Sequence, residues 1–116
     1  MEKCYSATIR EMSINRPPVK VAYPKVLGLS NLFVQVAINE KIINLVHSLI
    51  NEQMGSQENI VDMIGTYEIK LNEKGLISIY FENYIYWYHA AHGMTVARSI
   101  TMDLCTGATY KFRDLF

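Results

Sequence analysis

The apolar spacing of this chain changes period once, and that change limits the fold more than any other feature. From Ser30 or Asn31, each a suitable N-cap, to about Gln53 the pattern is helical. At 100° per residue, Val34, Val36, Ile38, Ile42, Ile43, Leu45, Val46, Leu49 and Ile50 fall in one broad arc. Glu40, Asn44, His47, Ser48 and Asn51 fill the opposite arc. A stripe this wide predicts a helix pressed against a flat partner, best met by a sheet. Gln35 and Asn39 lie inside the apolar arc, so their amides are expected to bond backbone and fix the helix in place. Gly55 is a suitable stop.

On both sides of the helix the period is two. Cys4 to Arg10 alternates and reads as a strand, followed by a break at Asn15-Arg16-Pro17-Pro18. Val19 to Tyr23 alternates again, and Pro24 either ends its pairing or marks an edge. After the helix, Val61, Met63, Tyr67, Ile69 and Leu71 share one face, against Asp62, Thr66, Glu68 and Lys70. Asn72-Glu73-Lys74-Gly75 is a hairpin turn whose glycine supplies positive φ. The returning strand puts Ile77, Ile79, Phe81, Ile85 and Trp87 on one face, and Ser78, Tyr80, Glu82, Tyr84, Tyr86 and Tyr88 on the other. Ala90 to Gly93 is a loop or bulge. Met94 to Leu104 alternates, Thr106-Gly107 turns, and Ala108 to Phe112 is a short last strand. The expected fold is therefore α+β in the order β-β-α-β-β-β-β. One long helix packs on one face of an antiparallel sheet, and the other face is polar and rich in tyrosine.

The 116 residues make one domain, spanning 1–116, and half of them are hydrophobic, enough for a core and too many for a disordered chain. Eleven basic residues balance eleven acidic ones, which leaves no cationic surplus for nucleic acid. No apolar run approaches the roughly 20 residues of a bilayer span, and no signal peptide follows Met1. Cys4 and Cys105 lie in no metal-binding or redox spacing. A bond between them would close a long loop, but two separate buried or edge thiols are the plainer expectation.

Chemistry is sparse. There is no phosphate loop, GxSxG or HExxH. Asp62, Glu68, Glu82 and Asp103 are acids on the polar strand face, and no spacing marks two of them as a glycosidase pair. His89 and His92 form an HxxH without a nearby third ligand, so no metal is expected. His47 reads as solvated. No cofactor is expected and no catalytic residue is assigned. The row Tyr80, Tyr84, Tyr86 and Tyr88 suits binding, since phenolic rings bring contact area at low entropy cost. The same residues also suit a half-covered strand face with no ligand. Trp87 points to the core.

The ordered set Tyr23-Pro24-Lys25-Val26, Ile38-Asn39, Gly65 to Ile69, Asn72 to Ile79, Ala91-His92-Gly93-Met94-Thr95, Thr101 to Gly107 and Asp114-Leu115-Phe116 carries a resemblance. It resembles the N-terminal domain of unknown function of PdaC-type peptidoglycan deacetylases and RsiV-type lysozyme-sensing anti-sigma factors. The resemblance runs from Tyr23 to Phe116. In those proteins a second small domain begins just after the Asp-Leu-Phe, which fits either an excised piece or a stand-alone copy here. The deacetylase domain itself is absent, so its activity does not transfer. The resemblance implies an extracytoplasmic, non-catalytic module of the bacterial cell envelope that binds a protein such as lysozyme. The alternatives are a module that binds peptidoglycan and a scaffold for a second domain, sticky near Phe112 and Phe116. It also gives His92 a position, where a turn residue bonded to backbone, with Gly93 permitting the kink, is preferred to a ligand contact.

Overall fold

The computed structural model describes residues 5–55, 60–111. They form β1 (Thr8–Arg16), β2 (Val19–Leu27), α1 (Leu32–Met54), β3 (Ile60–Glu73), β4 (Leu76–Trp87), β5 (Met94–Asp103) and β6 (Thr109–Tyr110). The strands lie in one sheet in sequence order. All neighbours are antiparallel except β2 and β3, which the helix joins as a parallel pair. The α+β class with one long helix on the sheet is as the periodicity requires. The parallel pair follows from connectivity, because a helical crossover returns the chain in the same direction.

The core lies between α1 and the inner sheet face. Ile38, Ile42, Val46 and Leu49 on the helix meet Val21, Val26, Met63, Ile77, Ile79, Phe81, Ile85, Met102 and Leu104. Burying each large aliphatic side chain contributes about 1.5–3 kcal/mol before entropy is counted. The β4 register is as read from the sequence: Ile77, Ile79, Phe81 and Ile85 are at most 2% exposed, and the tyrosines lie on the opposite face. Trp87 packs at the margin of the core. Val36, assigned to the apolar arc, is 57% exposed, because the buried helical stripe passes through Val34 and Ile38 instead.

Side-chain amides hold the elements together. The β2–β3 ladder covers only Val19–Val21 against Met63–Gly65, so β2 beyond Val21 lacks a strand on that side. There Asn39 supplies both missing bonds: its Oδ1 accepts from the Val26 N–H at 2.8 Å, and its Nδ2 donates to the Val26 carbonyl at 2.9 Å. Pro24, with no N–H, sits in the same unpaired stretch. Gln35 accepts from the Leu29 N–H at 3.1 Å. Asn72 repeats the two-way bond with the Ala7 backbone, at 2.8 Å in each direction. At the other end of the helix, Gln53 donates to the Met94 carbonyl and accepts from Asn83 Nδ2 at 2.7 Å. Lys41 reaches the Gly107 carbonyl.

Three readings of the sequence are corrected. β1 runs Thr8–Arg16 and not from residue 4 to Arg10, because its pairing with β2 continues without a shift up to the Pro17-Pro18 turn, although the apolar residues change face between Ile9 and Met12. Cys105 is disulfide-bonded and is not a separate thiol; the sequence has one other cysteine, Cys4, which lies outside the described residues. The last strand is Thr109–Tyr110, and Phe112, Phe116 and the Asp114-Leu115-Phe116 stretch lie outside the described residues. The β3–β4 turn is as expected, with both Lys74 and Gly75 at positive φ. No helix among the described residues is long and apolar enough to cross a membrane.

Candidate functional site

On the outer sheet face, Tyr84 and Tyr86 lie at the end of β4 that leads into the β4–β5 loop. Tyr84 and Tyr86 project outward from β4 and are half-buried, and Tyr88 begins the loop at 63% exposure. His89 adopts φ 68° and meets Tyr88 edge to face, with ring centroids 4.2 Å apart. His92 is exposed, and its Nδ1 lies 3.1 Å from the Gly93 carbonyl, the backbone contact its position implied. Tyr80 lies four residues down the strand from Tyr84, about 13 Å at strand rise, and stands apart from this cluster.

Two of the tyrosines support the loop as well as facing outward. Tyr86 donates its hydroxyl to the Ala90 carbonyl at 3.1 Å. The Tyr84 ring covers Gly93 so closely that any Cβ there would overlap it. Gly93 is thus required for that close approach and not for positive φ, which it does not adopt. Beside the rings lie Ile64, paired across the ladder with Tyr84 and 47% exposed, and Asp62, paired with Tyr86. Thr95 flanks Tyr84 on the β5 side. The result is a patch with rings and an exposed isoleucine at its centre and polar groups at its rim.

Three of the four acids named on this face, Glu82, Glu68 and Asp103, are occupied in local structure. Tyr80 donates to Glu82 at 2.7 Å, which raises the Tyr80 pKa. Glu68 pairs with Lys70 at 2.8 Å. Asp103 accepts from the Tyr110 hydroxyl at 2.7 Å and from the Cys105 and Thr106 N–H groups. That hydrogen bond from Tyr110 does most to hold the Asp103 carboxyl below its ordinary value, partial burial opposes it, and the two backbone bonds add to it. Further along the sheet, burial first and then the nearby Glu11 raise the Tyr67 pKa. Among the described residues no three His, Cys, Asp or Glu side chains are placed to hold a metal ion.

A second concavity, a groove of about 440 Å³, lies between the β1–β2 hairpin and α1. Met12, Tyr23, Leu27, Val36, Glu40 and Ile43 are among its walls. The sequence reading missed it, since the exposed Val36 was placed in the apolar arc of the helix. It also missed the Asn83–Gln53 pair, both at most 5% exposed, because Asn83 occupies an inward strand position that parity alone would give to an apolar residue.

The fold matches that of solved proteins with no established function. A DUF3298 family protein of Bacteroides fragilis NCTC 9343 superposes with a TM-score of 0.64 at 10% identity, covering 97% of this chain and 62% of that one. A DUF3298 family protein of Pseudomonas aeruginosa PAO1 gives 0.63 at 11% identity, with 98% and 57% covered. This chain therefore has a DUF3298-like fold and spans about three fifths of the length of those proteins. No protein-family profile and no curated protein matches its sequence.

Proposed function

We propose that this is a non-catalytic recognition domain of the bacterial cell envelope, which binds a protein partner through the aromatic end of its outer sheet face. The observation that carries the reading is the pair Tyr84 and Tyr86 on the face the helix leaves uncovered, Tyr84 across from the exposed Ile64, with Tyr88 and His92 exposed in the loop that follows. The Tyr84 and Tyr86 rings are held by contacts with the β4–β5 loop, so binding there sacrifices little conformational freedom. Of the carboxylates on this face, Glu82, Asp103 and Glu68 are engaged in structural bonds, which supports binding and not catalysis. The disulfide at Cys105 supports an oxidising, extracytoplasmic setting. The resemblance to PdaC-type and RsiV-type proteins supports an envelope role, with lysozyme-like proteins as the first partners to try.

Calorimetric titration with lysozyme tests this, with Tyr88→Ala and His92→Ala as variants. Both residues are exposed, so these changes leave the fold intact. Saturable heat that either variant weakens tenfold or more is the expected result. If lysozyme gives no heat and purified peptidoglycan instead retains the domain, the surface is a carbohydrate site. If neither binds, the scaffold reading replaces this one.

A further inference from the structure

Among the described residues, the outer edge of β5 is open over most of its length. β6 pairs only with Thr101 and Met102. Among the described residues, the stretch 94–99 of β5 has β4 on one side and no strand on the other. The backbone alternates along it: the Asp103 N–H donates outward to the Ala108 carbonyl, and the Leu104 N–H donates back to the Gly75 carbonyl. By this alternation Thr95, Ala97 and Ser99 turn their N–H and C=O groups to the open side. The edge is also self-complementary. Two antiparallel copies centred on Ala97 place Thr95 opposite Ser99, with every outward group facing a partner.

Arg98 stands across this edge. Its Nη1 donates to the Ala97 carbonyl at 2.8 Å, and its Nη2 donates to both Glu52 carboxylate oxygens at 2.7 and 2.8 Å. It lies on the helix side of the strand, opposite the buried Phe81, where an apolar residue would be ordinary. Both side chains are more than 40% exposed, so the ion pair by itself adds little stability. Its effect is positional, because an incoming strand must break the Ala97 bond and cover a guanidinium. We infer that Arg98, held in place by Glu52, guards the β5 edge and keeps it from pairing with β5 of a second copy of this chain.

Sedimentation velocity over a wide concentration range tests the guard on the wild type, Arg98→Val, Glu52→Gln, and Arg98→Val combined with Ala97→Pro. The proline removes an outward N–H and leaves the β4 ladder intact. The wild type is expected to stay monomeric. Arg98→Val is expected to self-associate at least tenfold more tightly, Glu52→Gln to do so more weakly, and the proline variant to return to monomer. A self-associating wild type, no gain in either Arg98→Val or Glu52→Gln, or association that survives the proline would overturn the inference.

Discussion

Asn39 on the helix and Val26 on β2 bond to each other as two paired strands would, N–H to oxygen and oxygen to N–H, at 2.8 and 2.9 Å. The side-chain amide stands in for a peptide group where β3 stops pairing. Asn39→Leu fills similar volume but leaves both Val26 groups without partners. It is expected to lower unfolding free energy by about 2–4 kcal/mol. Urea denaturation with an unchanged m-value checks this, and a loss under about 0.5 kcal/mol contradicts it.

Gly65 is required by proximity. A Cβ at that position would lie 2.6 Å from Val21 Cγ1 and 2.7 Å from Asn83 Oδ1. Both neighbours are buried, so neither can swing into solvent. Gly65→Ala should destabilise by about 1–3 kcal/mol, with hydrogen exchange rising first along the short β2–β3 ladder. Thermal melts at wild-type temperature would show that the contact relaxes freely.

Tyr86 gives a separable test of the loop. Tyr86→Phe retains the ring and removes the bond to the Ala90 carbonyl. The expected cost is about 0.5–1.5 kcal/mol. Amide exchange should quicken at Ala90 and its neighbours while the β3–β4 core stays protected. Equal exchange in the two proteins would mean that the hydroxyl does not hold the loop.

Acid should weaken the β5–β6 turn. The Tyr110 hydroxyl foremost, then the Cys105 and Thr106 N–H groups, favour ionised Asp103, against some opposition from burial. Its folded pKa lies below the ordinary 3.8. Its contribution is therefore complete above that value and fades as pH falls through the lower folded one. The partner moves the other way: the hydrogen bond to Asp103 raises Tyr110 above 10.0, so its contribution is complete below that value and is lost as pH rises through the raised one. Asp103→Asn should be less stable than wild type near neutral pH, and the difference should shrink as pH falls below 3.8. Parallel pH profiles for the two proteins would contradict this assignment.

The sequence made the layers legible because each carries a strong period. The β4 alternation separates Ile77, Ile79 and Phe81 from Tyr80, Tyr84 and Tyr86 without ambiguity, and the placing of Asn39 and Gln35 in an apolar arc foretold their backbone bonds. What escaped it depends on contacts between distant residues. Nothing local shows that Asn72 will bond Ala7, or that the Asn83 amide finds Gln53 on the helix. The structural duty of Tyr84 was equally hidden, since it rests on where Gly93 falls after a loop whose path no period describes. The end of β1 was hidden because the apolar residues switch face between Ile9 and Met12, while pairing with β2 carries the strand on to Arg16, into residues that read as a break.

The most direct measurement is an NMR titration of the isotopically labelled domain with lysozyme, mapped residue by residue. The account predicts shifts concentrated at Ile64, Tyr84, Tyr86, Tyr88 and His92, with the helix-side residues Leu32, Phe33 and Val36 unmoved. Shifts confined to Leu32, Phe33, Val36 and the groove beside them, or none at saturating concentration, would contradict it.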